Sequence, residues 1–398
     1  MSTMNFTPTP KTTKRIDSID ILRGLIMLIM ALDHVRDMFH QGTPDPTDLS
    51  TTTPLLFFTR WITHFCAPIF IFLSGVSAFL AGKRRTKKEL SLFLIQRGIW
   101  LILVEVLLIN TVFELNFYFH TVVLQVIWVI GISMILLGLI IWMPIKVIGT
   151  LGAIIFFGHN LFDYFRSSGV VSKLLFTASG FGPENIVHLD GSHIVLVAYA
   201  ILPWTGVMLL GYFLGQFYLS DYNTTLRQRL LFRISGLLLI LFFLLRCING
   251  YGDPAHWSHQ KTVALSIISF FNVTKYPCSL DYLCMTLGAG IFLLAIFEKN
   301  NNRATRIFAM YGSVPFFYYV LHFTLIRIFN ITVFFVSGFK NSEIPARPGD
   351  FSFHPATFGF QLGGVYLVWF TVIASLYLPC RWFSHYKKNH KNWWISYL

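Results

Sequence analysis

The stretch Asp20-Ile-Leu-Arg-Gly-Leu-Ile-Met-Leu-Ile-Met-Ala-Leu-Asp-His-Val-Arg-Asp37 decides the fold, because it combines a membrane-length apolar run with several charged side chains. As a helix, it places Arg23 and His34 within about 20° of each other and about 16 Å apart along the axis. A charge near the middle of a membrane helix costs at least about 2.5–3.5 kcal/mol, so such residues usually face a bundle interior or a water-filled cavity. The stretch therefore predicts a membrane helix with a polar, functional side.

A purely structural interpretation of the same residues stays open. In that case Arg23 extends its guanidinium toward the membrane surface, and Asp33 pairs locally with Arg36. We carry the functional interpretation forward because several polar residues fall on one side of the helix while the opposite side is aliphatic.

The composition is that of an integral membrane protein. Of the 398 residues, 55% are hydrophobic and only 12% are charged. The predicted fold class is all-α, a polytopic membrane helical bundle of about ten transmembrane helices. The net charge of +13 does not indicate nucleic-acid binding, because the basic residues collect in short loops between apolar runs, as cytoplasmic loops do.

The distribution of Lys and Arg predicts the orientation. These residues are concentrated in both tails and in alternate loops, so the positive-inside rule places both termini in the cytoplasm. The expected location is the cell (inner or plasma) membrane. We expect a flexible cytoplasmic tail (1–18), a single transmembrane domain (19–380) and a second cytoplasmic tail (381–398). The predicted spans are 19–39, 59–81, 92–112, 122–142, 147–164, 193–217, 232–249, 279–297, 307–330 and 357–379.

The long loops lie on the other, non-cytoplasmic side. They are rich in Gly, Pro, Asp, His and aromatic residues, which indicates either a polar substrate handled there or ordinary variable loops. Two apolar pieces within them, 261–271 and 331–336, are predicted to be re-entrant or interfacial segments. The four loops are 40–58, 165–192, 250–278 and 331–356.

Further polar residues lie in or beside the other predicted spans, mostly toward the outer half of the membrane. Arg60 and His64 are spaced i and i+4, so they share one helix face. Taken together, these residues predict a polar path between helices that binds substrate. The predicted substrate-binding residues are Arg60, His64, Lys275, Asp281 and His322.

The chemistry of the first helix suggests acid–base catalysis beside an anion-binding group. Histidine suits a general base because its unperturbed pKa is about 6.5, and a neighbouring carboxylate orients and stabilises the ring. We therefore predict His34 as the base, with Asp33 or Asp37 as its partner. Arg60 or a helix-end N–H is predicted to stabilise an oxyanion, and Arg36 is a weaker candidate because helical geometry turns it away from the stripe. The planar, always charged Arg23 suits the phosphates of a donor.

Several motifs resemble the bacterial branch of the heparan-alpha-glucosaminide N-acetyltransferase catalytic family, within the transmembrane acyltransferases. Besides the first helix, they are Pro68-Ile-Phe-Ile-Phe-Leu-Ser-Gly75, Lys275-Tyr-Pro-Cys-Ser-Leu280 and Pro315-Phe-Phe-Tyr-Tyr-Val-Leu-His322. The resemblance implies acyl transfer across a membrane, with cytosolic acetyl-CoA as donor, an amine or hydroxyl of a sugar as acceptor, and a histidine as base.

Only part of the family's site carries over. Arg23 and Gly24 match the first-helix motif, which predicts that they bind the acetyl-CoA donor. His34 stands where the eukaryotic lysosomal enzyme has asparagine, and the loop after it is longer. The catalytic loop histidine of that enzyme therefore has His40, or less well His64, as its counterpart.

We thus expect an acyl-CoA-dependent acyltransferase that moves an acetyl or acyl group to a sugar or glycan on the non-cytoplasmic side. The alternative is a polytopic transporter or flippase for a polar or lipid-linked solute, in which the same residues relay protons or bind cargo. The expected partners are the lipid bilayer, acyl-CoA and the glycan acceptor, without nucleic acid, and a homo-oligomer stays open. No metal site is predicted, because the cysteines and histidines lack metal-ligand spacing.

Overall fold

The computed structural model describes residues 17–42, 44–114, 119–164, 169–177, 185–219, 222–300, 302–344, 353–390, 392 and 395. Nearly all of the predicted N-terminal tail lies outside these residues. The described residues are mostly helical, which confirms the predicted all-α membrane bundle. The helices are α1 (Asp17–Phe39), α2 (Pro54–Thr63), α3 (Cys66–Gly82), α4 (Lys87–Val104), α5 (Asn110–Glu114), α6 (Val126–Ile140), α7 (Ile145–Gly158), α8 (Val170–Ser172), α9 (Ile201–Leu214), α10 (Thr224–Ile248), α11 (Val263–Phe271), α12 (Leu280–Phe297), α13 (Arg303–Gly312), α14 (Pro315–Val336) and α15 (Leu362–Asn389).

Seven helical segments among the described residues are long and apolar enough to cross a membrane, so the expected number of about ten is not confirmed. They are Pro54–Gly82, Lys87–Val112, Ile145–Asp163, Thr224–Ile248, Leu280–Phe297, Pro315–Val336 and Leu362–Asn389. Helix α1 is long enough, at about 34 Å, but it carries too many charges to meet the apolar criterion.

Two of the predicted spans begin as extended chain instead of helix. Strand β1 (Thr121–Leu124) precedes α6, and strand β3 (Ile194–Val197) precedes α9. They pair in parallel, and β2 (Ile186–His188) pairs antiparallel with β3, giving the sheet order β1-β3-β2. The β-branched residues of 121–124 and 194–197 favour strands, which the hydropathy of the spans does not reveal.

Side chains from the preceding helical segment form hydrogen bonds with backbone groups of β1 and of the first turn of α6. A π-helical turn, Glu105–Ile109, separates α4 from α5. Glu105 accepts a hydrogen bond from the backbone N–H of Trp128, in the first turn of α6. Asn110 both accepts from the backbone N–H of Val123 and donates to its carbonyl, and so acts as a neighbouring strand for β1. These bonds satisfy backbone groups that would otherwise be costly inside a membrane.

Other predicted boundaries also shift. The ninth span is divided at Ser313 and Val314 into α13 and α14, because Pro315 favours the first turn of a new helix over the interior of a continuous one. The apolar piece 331–336 is the end of α14, so its prediction as a re-entrant segment is wrong. The piece 261–271 contains the short helix α11, which packs against α2. Helix α15 continues to Asn389, into the predicted C-terminal tail.

Helix α1 occupies the centre of the bundle. It packs against α2, α3, α12, α13, α14 and α15, and most of its residues are buried. Asp17 at its start and Lys388 near the end of α15 line the same groove, so the two ends of the domain lie on the same side. That arrangement agrees with the predicted orientation, in which both termini are cytoplasmic.

The closest approach of α1 to a neighbour depends on two glycines. A Cβ on Gly24 would lie 1.8 Å from the carbonyl oxygen of Phe308, and a Cβ on Gly312 would lie 1.9 Å from that of Asp20. Real Cβ atoms do not approach backbone so closely, so α1 and α13 can cross here only because both residues lack side chains. Gly24 therefore has a packing role, which its predicted donor-binding role did not anticipate.

We expect Gly24→Ala to lower the melting temperature of the detergent-purified protein, because the new methyl group must push α13 away at a cost of at least about 1–3 kcal/mol. The matched control is Gly236→Ala on α10, where an added Cβ meets no atom within 4 Å. That change should be neutral or stabilising by up to about 1 kcal/mol. Equal melting temperatures for the two variants would contradict the packing argument.

Candidate active site

A cavity of about 840 Å³ opens beside the second half of α1. Asp33, His34, Arg36 and Asp37 of α1 face it, together with residues from α2, the two strand ends, α14 and the loop before α12. By the predicted orientation it lies toward the non-cytoplasmic side. The polar residues that line it are Asp33, His34, Arg36, Asp37, His40, Asp45, Thr47, Arg60, Thr63, His64, Gln125, Tyr199, Asn272, Thr274, Lys275, Tyr276 and Tyr319.

Asp33 is the centre of the ionic network in this cavity. One of its carboxylate oxygens accepts from Arg60. The other accepts from the Thr63 hydroxyl at 2.9 Å and forms an ion pair with Arg36 at 2.9 Å. Arg60 reaches Asp33 because α2 ends at Thr63 and its last turn lies against α1. The predicted pairing of Asp33 with Arg36 one turn away is present, but Arg60 is an additional partner from another helix.

Arg36 lies in the cavity, although its position on the helical wheel predicted otherwise. It bridges two carboxylates of its own helix, those of Asp33 and Asp37. Its Nη1 atom is buried and has no hydrogen-bond partner among the described residues. The side chain is long enough to bend around α1, which a wheel drawn through Cα positions cannot show.

His34 forms a hydrogen-bonded pair with His322 of α14, Nδ1 to Nε2, at 2.8 Å. The other ring nitrogen of His322, Nδ1, is 3.1 Å from the carbonyl oxygen of Tyr318. A carbonyl can only accept, so Nδ1 of His322 carries its proton and the Nε2 of this neutral ring accepts. His34 must then donate from Nδ1, and in the neutral imidazole its Nε2 carries no proton.

The orientation of the two rings is also fixed by stacking. The His34 ring stacks on Phe323, with centroids 4.2 Å apart, and the His322 ring stacks on Tyr318, with centroids 5.3 Å apart. The Nε2 of His34 has no hydrogen-bond partner in the described part of the chain, and the side chain lines the cavity. The arrangement holds an unprotonated imidazole nitrogen ready to accept a proton.

The opposite wall is formed by the loop before α12. Lys275 lines the cavity, and its ammonium lies 4.9 Å from the centre of the Tyr276 ring. The Tyr276 hydroxyl is 3.3 Å from that of Tyr199, at the start of α9. Asn272 donates to the carbonyl of Thr47, which ties this loop to the one that follows α1.

The cavity contains buried polar atoms without hydrogen-bond partners among the described residues. His64 is buried, and its Nδ1 has no partner among the described residues, like the Nη1 of Arg36. Three carboxylates, Asp33, Asp37 and Asp45, line the cavity with the three cations Arg36, Arg60 and Lys275, so its charges balance when the histidines are neutral. Buried polar atoms of this kind are costly unless something binds them, which points to a polar ligand or an oxyanion in the cavity.

Burial lowers the pKa of His40, which lies just after α1 at the edge of the cavity. The lower pKa favours the neutral ring, as a base requires. Its Nδ1 contacts the Gln41 carbonyl at 3.1 Å. His40, which the resemblance suggested as a counterpart of the catalytic loop histidine, thus lines the cavity, but it makes no hydrogen bond to His34 or His322.

The cavity contains three of the five predicted substrate residues, Arg60, His64 and Lys275, besides the predicted catalytic trio His34, Asp33 and Asp37. His322 lies behind His34 and does not line the cavity. Asp281 lies elsewhere, 3.7 Å from the buried Arg246.

Arg23 also lies apart from the cavity. It donates to Asp20 (2.9 Å), the Gly312 carbonyl (3.1 Å) and the Ser77 hydroxyl (2.8 Å). Met30 lines the cavity on the side toward Arg23, so an apolar side chain lies between Arg23 and the polar cavity residues of α1.

Sequence reasoning missed several cavity residues, among them Gln125, Tyr199, Tyr276 and Tyr319. The tyrosines are indistinguishable by pattern from the many aromatic residues that pack helices or face lipid. Gln125 offered a signal, because it is a polar residue in the middle of an apolar run and marks the break between β1 and α6. No group of three His, Cys, Asp or Glu in the described ranges is arranged to hold a metal ion.

We expect Asp33→Asn to reduce the stability of the protein by about 3–5 kcal/mol, because it leaves Arg36 and Arg60 buried together without their shared carboxylate. Removing one cation in the double variant Asp33→Asn/Arg60→Met should recover a large part of this loss. Asp48→Asn, at an exposed loop carboxylate, is the control and should change stability by no more than about 0.5 kcal/mol. Thermal unfolding in detergent is the measurement, and strictly additive losses in the double variant would refute the ionic network.

A comparison with known protein families identifies the family of the chain. The model of the heparan-alpha-glucosaminide N-acetyltransferase catalytic domain matches residues 15–244, more than half of the 398 residues. The match includes α1 and Arg60, whereas Lys275 and His322 lie beyond it. A comparison with curated proteins gives no match. The chain belongs to the heparan-alpha-glucosaminide N-acetyltransferase catalytic family and is, in general terms, a multi-pass membrane acetyltransferase.

Proposed function

We propose that the protein transfers an acetyl group from cytosolic acetyl-CoA to an amine or hydroxyl of a sugar or glycan on the non-cytoplasmic side, with His34 as the general base. The observation that carries this proposal is the hydrogen-bonded pair His34 and His322. It leaves the His34 Nε2 unprotonated, in a polar cavity large enough for a sugar residue.

The proposed reaction uses the groups of the cavity in sequence. The His34 Nε2 takes the proton of the acceptor O–H or N–H as that atom attacks the thioester carbonyl. The carbonyl oxygen becomes an oxyanion, which Arg36 or Arg60 stabilises. Collapse of the intermediate breaks the C–S bond and expels the CoA thiolate, and His34 transfers its proton to that sulfur. An acetyl-histidine intermediate on Nε2 is the second route open to the same arrangement.

The carboxylates have a supporting role in this proposal. Asp33 and Asp37 lie within one turn of His34, so their negative charges stabilise the imidazolium formed when the base takes a proton. Asp33 is already held by Arg36, Arg60 and Thr63, which keeps the carboxylate fixed during the reaction. Lys275, Tyr276 and Tyr199 on the opposite wall offer donors that suit the hydroxyl groups of a sugar.

The donor site is proposed to lie on the cytoplasmic side of His34, with Arg23 facing the phosphates of acetyl-CoA. In support, Arg23 is the arginine of α1 nearest the cytoplasmic end, and it keeps its charge at any physiological pH. It would have to exchange hydrogen bonds to Asp20 and Ser77 for phosphate oxygens. The thioester must also pass Met30 to reach His34, so this proposal requires a movement of that side chain.

We expect His34→Ala to lower acetyl transfer from radiolabelled acetyl-CoA by at least about 100-fold, because the variant lacks the base. The purified full-length protein in detergent would be assayed with a mixture of amino sugars and for thioester hydrolysis. His259→Ala, at an exposed histidine of an outer loop, is the control and should keep its activity.

Two outcomes would contradict the assignment. Full activity in His34→Ala would exclude that residue as the base. If the unaltered protein consumes no thioester in detergent but moves solute in sealed vesicles, the protein is a transporter or flippase.

His322 should act as a positioning residue. We expect His322→Ala to lower kcat by about tenfold or more, because nothing then fixes the proton on the His34 Nδ1. His322→Gln should recover part of this loss, since its amide oxygen can accept the same hydrogen bond. The melting temperature and the KM for acetyl-CoA are measured for both variants as checks. If kcat falls equally in both variants, in proportion to their loss of stability, His322 has a structural role only.

A further inference from the structure

A second cavity, of about 1000 Å³, lies at the opposite end of the bundle. We call it the basal groove. It is formed by the start of α1, by α13 and by the last turns of α15, and the positive-inside rule places it at the cytoplasmic membrane surface. Its charged and aromatic lining residues are Asp17, Asp20, Arg306, Arg381, Trp382, His385 and Lys388.

The cations of the basal groove have no partners in the part of the chain that the structure describes. Arg306, Arg381 and Lys388 are exposed, and in the described ranges none of them forms a hydrogen bond or an ion pair. Two other cations at this end of the bundle are paired, Arg227 with Glu298 and Arg23 with Asp20, whereas the exposed Arg229 and Arg233 have no partner among the described residues. Three unpaired cations that line one groove offer a site for an anion.

The carboxylates of the groove do not cancel this charge. Asp20 is already neutralised by Arg23, at 2.9 Å. Asp17 is exposed at the start of α1 and makes no ion pair with a described residue. Three cations against one free carboxylate leave the groove positive, even with a neutral His385.

One wall of the basal groove is continuous with the lipid-facing surface of α15. Leu378 and Trp382 line the groove and are 69% and 62% exposed. Leu367 and Phe370, further along the same helix, are 69% and 63% exposed and extend this apolar surface across the membrane. Tryptophan favours the boundary between headgroups and acyl chains, which suits the position of Trp382.

We propose that the basal groove binds an anionic phospholipid, a site that goes beyond the acetyl-transfer function. The phosphate ester lies against Arg306, Arg381 and Lys388, and an acyl chain follows Leu378 and Trp382 into the bilayer. Basic pockets between membrane helices on the cytoplasmic side are suited to such headgroups. An adjoining apolar surface open to the bilayer favours a lipid over a water-soluble phosphate.

The test compares lipid binding in the full-length protein and in two charge-matched variants. Arg381→Gln/Lys388→Gln removes two groove cations, whereas Arg229→Gln/Arg233→Gln removes two exposed cations from α10, outside the groove. Phosphatidylglycerol or phosphatidylcholine is titrated into delipidated protein in detergent, and binding is followed by native mass spectrometry and by the melting temperature. We expect the groove variant to bind phosphatidylglycerol at least about tenfold more weakly, with the control variant and phosphatidylcholine binding unchanged.

Three outcomes would overturn the proposal. Equal weakening in both variants would mean that general surface charge attracts the lipid. Equal binding of phosphatidylcholine would mean that the phosphate charge is not recognised. Displacement of phosphatidylglycerol by CoA, lost in the groove variant, would assign the groove to a nucleotide. None of these results depends on whether His34 is the catalytic base, so the lipid site and the acetyl-transfer proposal fail separately.

Discussion

The ion pair between Asp33 and Arg60 is the constraint on which the polar centre of the bundle depends. A carboxylate within a membrane bundle is tolerated only if its charge is met by nearby cations and donors, and here Arg36, Arg60 and Thr63 all meet it. Because Arg60 belongs to α2, this requirement fixes α2 against α1. It thereby places one wall of the cavity.

Several helices are interrupted beside the cavity. Helices α6 and α9 begin only after the strands β1 and β3, and α2 and α3 are separated at His64 and Phe65. Irregular backbone at membrane depth is tolerated where it lines a water-filled space or where side chains satisfy its hydrogen-bonding groups. The Asn110 side chain does so for Val123 of β1. The helix interruptions therefore lie where the polar cavity makes irregular backbone tolerable.

The sequence predicted the helical bundle, the importance of α1 and several of the polar residues that line the cavity, because charge in an apolar run is a strong local signal. It did not predict how Arg36 bends into the cavity, or that His322 lies behind His34, since both depend on contacts between helices. It also overestimated the continuity of the spans. Hydropathy cannot distinguish 14 helical residues preceded by a strand, as in α9, from one long helix.

The short helices α6 and α9 have an electrical consequence. With 15 and 14 residues they span only about 21–23 Å, against about 30 Å for the hydrocarbon of a bilayer. In the proposed orientation, water that fills the cavity would indent the insulating layer, and the membrane voltage would fall across a thinner barrier at this point. A proton that leaves the proposed base His34 for the outer solution would cross little of that voltage, whereas one that leaves for the cytoplasm would cross nearly all of it, at about 2.3 kcal/mol per 100 mV.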